Sequence, residues 1–477
     1  MYLLFILIAV LIMTTNYTIS DGDTFFHIKV GEYISKYGFP SRDPFSMHDL
    51  NYTPHEWLSD YIFYKVYNGF SFLGLAIFLC IMMCILIFVL YKTNNLLNGN
   101  LSPISFILAF GSIYVLNLFK FIVVRPHIFS FIVFVLEIYL IESYIKSRQK
   151  LFLALIPILS LLLANLHIGT LPMFFILFLP YLADNMIKLE KEKISSAGNK
   201  SDFKLLFSIF LVSIASALIN PYGLQKMLYF TILFDSNTQT VYEWQSPSFK
   251  GVQGLLIFST FIIGLMIMIF SKSKISLKNI LMYFGLMFMS LYSIRYYSYF
   301  MLLTGPILGN ILCKNSTIKS LKLPVVAKFK NKTLRIIVLI TLVLFSLIFK
   351  FTYNFEALNL DKFPVDSVRY LKENTDYQNI KIFNDYAYGG YILLNDVKVF
   401  VDSRQDLYLK AYNSNCTVYS DYLDVIKGKV HYKDIFKKYC FEYLVISKNS
   451  LLEAYVSSDS AYEKILSDKD CVLYKRK

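Results

Sequence analysis

A polar segment near the amino terminus is dense in side chains that can move protons. Asp21 and Asp23 stand two residues apart, and Glu56 directly follows His55. His27 lies four residues after Asp23, so a helix here would place the two side chains on one face. Carboxylates and imidazoles are common general acids and bases in enzymes. Asp21, Asp23 and Glu56 are therefore our candidate catalytic residues.

Further polar side chains recur at the ends of apolar runs. A guanidinium can contact two phosphate oxygens at once, and imidazole and amide groups can orient a polar substrate. Ionisable residues that line the mouths of membrane helices are candidates for function. The candidate substrate-binding residues are His27, His55, Arg125, His127, Asn165, His167, Glu243 and Arg295.

Asp21 and Asp23 also form an Asp-x-Asp pair, which offers two hard oxygen ligands to a divalent cation such as Mg²⁺ or Mn²⁺. Two carboxylates alone are a weak metal signature. A second interpretation is that Asp23 caps a helix over 24–36, a role that aspartate favours. Arg125, which precedes Pro126, could likewise anchor a helix end at the lipid headgroups.

The elements that must position these groups are mostly apolar. The chain has 477 residues, of which 56% are hydrophobic and only 17% charged, which is typical of a multi-pass membrane protein. About eleven apolar runs approach the length of a bilayer span. They lie near 2–18, 72–91, 103–119, 128–145, 151–166, 170–187, 204–219, 254–271, 277–293, 298–313 and 334–352.

The loops between these runs alternate in charge, and one set is rich in lysine. The positive-inside rule assigns that set and the amino terminus to the cytoplasm. All six histidines then fall on the outer side, together with the tail from about residue 354. The net charge of +14 follows from this topology, so we predict no nucleic-acid partner. We expect the outer groups to meet in one cleft.

Two interfacial helices are predicted beside the polar segment. Phe26, Val30, Tyr33 and Tyr37 recur at helical spacing, and Gly38 would end that helix. A second helix over 57–68 leads into the next span, with a break at Gly69.

The tail, 354–477, has a soluble composition and alternates helix and strand patterns. Helices are predicted at 364–374 and 431–439, and strands at Ile380–Phe383, Val397–Val401, Tyr443–Ile446 and Val472–Tyr474. Gly389 and Gly390 indicate a tight strand-to-helix turn. Asp402 and Asp406 follow the second strand, where α/β sheets often bind ligands, although a solvated turn explains them equally well.

A set of motifs along nearly the whole chain resembles the bacterial multi-pass glycosyltransferases of the C-type (GT-C) fold. The first loop carries Asp-Gly-Asp-Thr-Phe-Phe-His at 21–27 and His-Glu-Trp-Leu at 55–58. The other matching motifs are Arg-Pro-His at 125–127, Ala-Asn-Leu-His at 164–167, Asn-Pro-Tyr-Gly at 220–223, Glu-Trp-Gln-Ser-Pro at 243–247, Arg295, Gly-Gly-Tyr at 389–391 and Asp-Ser-Arg at 402–404. Phe25 and Phe26 stand where members of this family often have tryptophan.

This resemblance implies a polytopic α-helical membrane domain over 1–353, with its first outer loop at 19–57, and a small extracytoplasmic α/β domain over 354–477. It also implies transfer of a sugar from a polyprenyl-phosphate-linked donor to a glycan, lipid or protein acceptor of the cell envelope. An acidic residue of the first outer loop would act as the base. Two alternatives stay open: a transporter or flippase for lipid-linked or anionic solutes, and a non-catalytic envelope assembly protein.

Overall fold

The structure is a computed structural model that describes residues 21–98, 121–227, 242–313 and 358–477, with isolated positions at 19, 108, 111–113 and 116. Its described helices are α1 Gly22–Tyr37, α2 Trp57–Asn98, α3 His127–Ser147, α4 Leu151–Ala154, α5 Ile156–Leu166, α6 Leu171–Met186, α7 Lys200–Ala217, α8 Leu224–Met227, α9 Val252–Ile269, α10 Leu277–Tyr292, α11 Tyr297–Cys313, α12 Val365–Asn374, α13 Gly389–Leu394, α14 Val418–Ile426, α15 Tyr432–Tyr439 and α16 Leu451–Ser457.

Short strands form two sheets. The strands are β1 Ile194–Ser195, β2 Ile275–Ser276, β3 Ile382–Asn384, β4 Tyr443–Ser447, β5 Tyr462–Ser467 and β6 Cys471–Arg476. β1 and β2 pair in parallel, and the larger sheet has the order β3-β4-β6-β5. Short 3₁₀ helices occur at Ile168–Thr170, Tyr242–Trp244, Ile294–Tyr296, Tyr386–Tyr388 and Gln405–Tyr408.

The described residues pack into two compact units. The membrane unit contains the described parts of 78–227 and 242–313, and the loop–tail unit contains 21–77 and 358–477. The sequence analysis instead attached the loop 19–57 to the membrane domain. The predicted domain boundary between 353 and 354 stays a prediction.

Three helical segments of the described chain are long and apolar enough to cross a membrane, namely α2, α3 and the stretch Ile168–Met186. Shorter apolar helices lie at Leu151–Leu166, Gly254–Ile269 and Leu277–Tyr292. Many of their large apolar side chains point outward, such as Phe288 at 71% exposure, as lipid-facing residues do. The predicted helical membrane architecture is therefore confirmed.

The count of about eleven spans stays a prediction. The runs near 2–18 and 334–352 and most of the run near 103–119 lie outside the described residues. The sidedness of the loops and of the termini also stays a prediction.

The predicted first interfacial helix is present as α1, and Gly38 ends it with a φ of 83°, a conformation that suits glycine. The predicted apolar face was wrong in part. Tyr37 is 74% exposed, whereas Phe25 and Ile28 are buried. Phe25 packs its ring against Phe363 and Tyr391 of the tail, so the buried face is rotated from the predicted stripe.

The second predicted helix is present at the start of α2. The helix is interrupted at Ser71, which has φ 55° and ψ −157°. The predicted break at Gly69 is therefore wrong by two residues.

The tail contains both helices and strands. Three of the four predicted strands correspond to β3, β4 and β6, and the two predicted helices correspond to α12 and α15. Val397–Val401 is not a strand; within it, Val399 alone forms an isolated bridge, with Ser46. The sequence analysis also missed β5, which pairs antiparallel to β6 with a register shift between Lys464 and Leu466.

The first loop and the tail share one hydrophobic core. Val30, Phe45 and Tyr52 of the loop belong to the same buried cluster as Phe383 and Phe400 of the tail. Helix α13 packs against α1. The approach is so close that a Cβ on Gly390 would lie 2.1 Å from the carbonyl oxygen of Gly22. Gly389 and Gly390 both lie inside α13, so the pair serves a close helix contact and not the predicted turn.

Candidate functional site

His27 and Asp60 form a buried pair in the loop–tail unit. The Nδ1 of His27 lies 2.6 Å from an Asp60 carboxylate oxygen, and both residues are at most 3% exposed. Because an ionised carboxylate only accepts hydrogen bonds, Nδ1 carries the proton. The two helices meet so closely here that a Cβ on Gly31 would lie 2.0 Å from the carbonyl oxygen of Asp60. Helix packing thus fixes the orientation of the imidazole.

Glu56 extends this pair to a third group. Its Oε2 lies 3.9 Å from the Nε2 of His27. Glu56 and Asp60 are one helical turn apart, so both carboxylates approach the same imidazole. This arrangement can hold and release a proton between His27 and Glu56. Sequence reasoning selected His27 and Glu56 but missed Asp60, although its spacing from Glu56 on a predicted helix was a usable signal.

Asp21 and Asp23 lie at the start of α1, and both are partly exposed. The helix begins at Gly22, so Asp23 is inside its first turn and is not the capping residue. Asp21 occupies the cap position, yet its side chain makes no capping hydrogen bond there. A carboxylate in the first turn is favoured by the helix dipole. The capping interpretation of Asp23 is therefore wrong.

Asp23 lies close to Tyr386 of the tail. Burial raises the pKa of Tyr386 well above its usual range, and the negative charges of Asp23 and Asp406 raise this pKa further. The Tyr386 hydroxyl donates a hydrogen bond to the carbonyl oxygen of Ser403 at 3.1 Å. Tyr386 therefore stays a neutral hydrogen-bonding group beside the candidate base.

His55 contacts the same part of the tail. Its Nε2 lies 3.1 Å from a carboxylate oxygen of Asp406. Burial by itself would raise the pKa of Asp406, but the hydrogen bond and charge of His55, helped by Arg404, outweigh burial and lower this pKa. The ionised Asp406 therefore orients His55.

Asp402 forms a buried ion pair with Arg404. Arg404 donates to Asp402 at 2.6 Å and to Asp43 of the first loop at 2.7 Å. Tyr408 adds a hydrogen bond to Asp402 at 2.8 Å. All these side chains are buried, and Asp402 is 0% exposed. The interpretation of Asp402 as a ligand-binding carboxylate at a strand end is wrong: it belongs to a buried clamp that we call the Arg404 clamp.

His167 and Arg295 form the main cluster of the membrane unit. The Nη2 of Arg295 donates to the Nε2 of His167 at 2.9 Å. A guanidinium cannot accept, so Nε2 is unprotonated and Nδ1 carries the hydrogen. That Nδ1 donates to the hydroxyl of Ser130 at 2.6 Å. His167 is thus a neutral imidazole with a fixed tautomer that holds Arg295 in place.

Arg125 and Glu243 make a looser pair in the same unit. Their closest N···O distance is 3.5 Å, and their side chains are 24% and 42% exposed. The neighbouring Trp244 lies beneath the guanidinium of Arg295, 5.0 Å from its centre. The short 3₁₀ helix Tyr242–Trp244 therefore contacts both candidate anion-binding arginines. Sequence reasoning selected Glu243 but gave Trp244 no role.

His127 and Asn165 hydrogen-bond to the main chain. The Nε2 of His127 donates to the carbonyl oxygen of Phe121 at 2.6 Å. The side-chain amide of Asn165 donates to Leu161 and Ile219 carbonyl oxygens, each at 2.9 Å. These contacts hold the ends of helices. The structure therefore gives both residues a positioning role beside any role in binding.

The candidate residues thus fall into two groups. Asp21, Asp23, His27, His55 and Glu56 belong to the loop–tail unit. The other group belongs to the membrane unit and comprises Arg125, His127, Asn165, His167, Glu243 and Arg295. Their convergence in one cleft stays a prediction, as does each assigned role.

A metal site is not formed by protein ligands alone in the described part of the chain. Those residues contain no group of three or more His, Cys, Asp or Glu side chains arranged to hold an ion. A cation at Asp21 and Asp23 would need oxygen ligands from a substrate or from water, which Mg²⁺ commonly uses. Metal binding there stays a prediction.

Comparison with known proteins gives a match in fold but none in sequence. No protein-family profile matches the chain, and no curated protein matches it. The apo oligosaccharyltransferase of Archaeoglobus fulgidus superposes with a TM-score of 0.60 at 11% identity, covering 94% of this chain and 69% of that enzyme. The same enzyme tethered to an acceptor peptide with an NVT sequon gives 0.62 at 12% identity, covering 94% and 68%.

At such low identity the likeness concerns the fold. It extends over 94% of the chain. The chain therefore resembles the membrane glycosyltransferases of the GT-C fold.

Proposed function

We propose that this protein is a membrane glycosyltransferase that moves a sugar from a polyprenyl-phosphate-linked donor to an envelope acceptor on the outer side of the membrane. The observation that carries this proposal is the likeness to a GT-C transferase over 94% of the chain. The acid–base groups of the first loop and the arginine cluster of the membrane unit supply the two kinds of chemistry that such a reaction needs.

The first need is a base. In the proposed reaction Asp23 takes the proton from the acceptor hydroxyl as that oxygen bonds to the anomeric carbon of the sugar. The partly exposed first turn of α1 leaves the Asp23 carboxylate accessible to an acceptor. Glu56, backed by His27 and Asp60, is the alternative base. Proton transfer by a positioned side chain typically contributes about 10²–10⁴-fold to a rate.

The second need is stabilisation of the leaving group. The bond from the anomeric carbon to the phosphate oxygen breaks, and the phosphate leaves with both electrons. Arg295 is held by His167 and stacked on Trp244, and a guanidinium can contact phosphate oxygens through two parallel N–H bonds. Arg125 is the second candidate, because its long, partly exposed contact with Glu243 can be exchanged for a phosphate.

A divalent cation is a further proposed element. Asp21 and Asp23 are the residues that would hold it, and it would supply positive charge to a bound phosphate. His55 and His27 are proposed to orient the sugar or the acceptor.

The test is a transfer assay on the purified full chain with a panel of polyprenyl-linked sugars and acceptors, with and without Mg²⁺ or Mn²⁺. Asp23→Asn serves as the inactive variant. Asp49→Asn is the matched control, since Asp49 lies in the same loop with its side chain 82% exposed. The proposal predicts transfer by the wild type and by the control only. Equal turnover in the Asp23 variant would remove that residue from the mechanism.

A transporter or flippase is the second candidate function. The observation that favours it is a set of buried carboxylates inside the membrane helices, which the sequence patterns did not single out. Glu137, Glu142 and Asp184 are at most 9% exposed, and buried ionisable groups of this kind are common in transport pathways. Movement of a lipid-linked sugar across liposomes containing the protein, with no acceptor modified, would favour this candidate.

A further inference from the structure

Glu137 lies in the middle of a membrane helix. It is the eleventh of the 21 residues of α3, so the protein backbone places it roughly 15 Å from either helix end. Its side chain is 0% exposed. Within the described part of the chain, neither of its carboxyl oxygens has a hydrogen-bond partner. The proposed transfer reaction has no use for this group.

A carboxylate in such a place is costly. Removing an isolated ionised carboxyl from water into an apolar interior is so unfavourable that the group takes up a proton instead. The residues one turn away, Ile141 and Val133, are apolar and buried. An apolar side chain here would avoid the cost altogether, so the presence of an acid calls for a functional explanation.

Helices packed against α3 carry titratable side chains of their own. On α6, Tyr181 lies near enough for the charge of Glu137 to act on its phenol. On α11, Tyr299 contacts the rings of Phe131 and Phe134 on α3. The packed helices α4 and α5 contribute no titratable side chain, and α2 touches α3 through apolar rings at Phe78. Among the described residues, no basic side chain donates a hydrogen bond to Glu137.

Tyr181 hydrogen-bonds to a second acid of α3, Glu142. Its hydroxyl donates to the Oε1 of Glu142 at 3.1 Å, and Lys278 donates to the same oxygen at 2.5 Å. A cavity of about 10 Å³ adjoins these groups and is also lined by Asn310. That volume is about the minimum for one water molecule.

We propose that Glu137 is a proton-binding site inside the membrane unit. The ligand is a proton, and the step is the simple uptake of one proton by one carboxylate. This site is separate from the first-loop residues that we propose for sugar transfer. Its existence does not depend on whether the protein is a transferase.

The test is labelling of the intact, membrane-reconstituted chain with dicyclohexylcarbodiimide. This apolar reagent reacts with a protonated carboxyl: the acid adds across a C=N bond, and the adduct rearranges to a stable N-acylurea without any leaving group. We expect an adduct at Glu137 by mass spectrometry. Once the group ionises, its labelling rate should fall about tenfold for each further pH unit.

Glu137→Gln should lose this adduct, whereas Glu192→Gln, a change in an exposed loop, should keep it. An infrared carbonyl band of a protonated acid that vanishes in Glu137→Gln gives a second readout. If that variant does not fold, the pH profile of the wild type alone decides the matter. Absence of an adduct at every pH, or labelling that does not change with pH, would overturn the proposal.

Discussion

Two arginine–carboxylate contacts in this protein differ in almost every physical respect. The side chains of Arg404 and Asp43 are 3% and 0% exposed, and their closest contact is 2.7 Å. Those of Arg125 and Glu243 are 24% and 42% exposed, and their contact is 3.5 Å. Arg404 also packs on the rings of Phe45 and Tyr52, 5.1 and 4.8 Å from its centre.

The difference distinguishes a structural pair from an exchangeable one. A fully buried guanidinium with two carboxylate partners cannot release them without leaving buried charges unpaired. A partly exposed pair at long distance contributes little to stability and can accept a different anion. The loop–tail unit therefore uses its arginine to join distant segments, and the membrane unit holds its arginine where a phosphate could displace the glutamate.

The strongest test of this comparison is Arg404→Ala. The change leaves Asp43 and Asp402 buried without their cation, and breaking a buried pair in this way typically costs about 3–5 kcal/mol. We expect a large loss of thermal stability in the purified protein and rapid proteolysis of the tail. The matched control is Arg42→Ala, since Arg42 and Asp49 form an ion pair with side chains 50% and 82% exposed; it should leave stability nearly unchanged. Equal effects of the two variants would refute the structural role of the clamp.

Asp23→Asn should separate catalysis from folding in the loop–tail unit. The amide keeps the shape of the carboxylate but cannot act as a base, so we expect the transfer rate to fall about 10²–10⁴-fold. Thermal stability should change little, because the side chain is partly exposed and makes no cap. Kinetic assays and melting curves on the same preparation check both statements. If the variant loses stability together with activity, then Asp23 has a structural role, as Asp43 does in the Arg404 clamp.

Arg295→Ala should weaken the binding of the lipid-phosphate donor. Hydrogen bonds to a charged group contribute about 1.5–3 kcal/mol, which corresponds to roughly 10–150-fold in affinity. Titration of the purified protein with a polyprenyl-phosphate sugar measures the effect. Arg148→Ala is the control in the same unit, because Arg148 is 58% exposed and pairs with Asp202. Unchanged donor affinity in the Arg295 variant would indicate that this arginine only anchors the helix end.

The sequence predicted the local elements well because their signals are local. Helical spacing and a glycine with positive φ located α1, and apolar runs located the membrane helices. The clamp was beyond such reasoning, because Asp43 and Arg404 are separated by 361 residues. A periodic pattern of residues cannot indicate a contact between side chains so far apart in the sequence.

The same limit explains the errors at the candidate site. The predicted face of α1 relied on tyrosines, which tolerate water, and so missed that Phe25 faces the tail. His167 and Arg295 were each selected by residue type, but their contact spans 128 residues and appears only in the fold. Glu137 lies in a run that is apolar on all sides, so hydropathy gave it no distinct position.

The smallest expected effect concerns His48, which sits beside the Arg404 clamp. Its Nε2 donates to the carbonyl oxygen of Phe400 at 2.9 Å. Burial lowers the pKa of His48 below its ordinary value of 6.5, although the hydrogen bond and the charges of Asp43 and Asp402 oppose this. The unfolded chain then binds more protons than the folded one as the pH falls through 6.5.

Stability from this group is therefore fully present above pH 6.5 and declines as the pH falls toward the folded pKa. His48→Gln, which can still donate to Phe400, should flatten this part of the stability profile. His431→Gln is the control, because His431 is an exposed helix cap in the same unit. Melting curves from pH 5 to 8 measure the difference. If the His48 variant shows the same dependence of stability on pH as the wild type, then His48 is not buried in its neutral form.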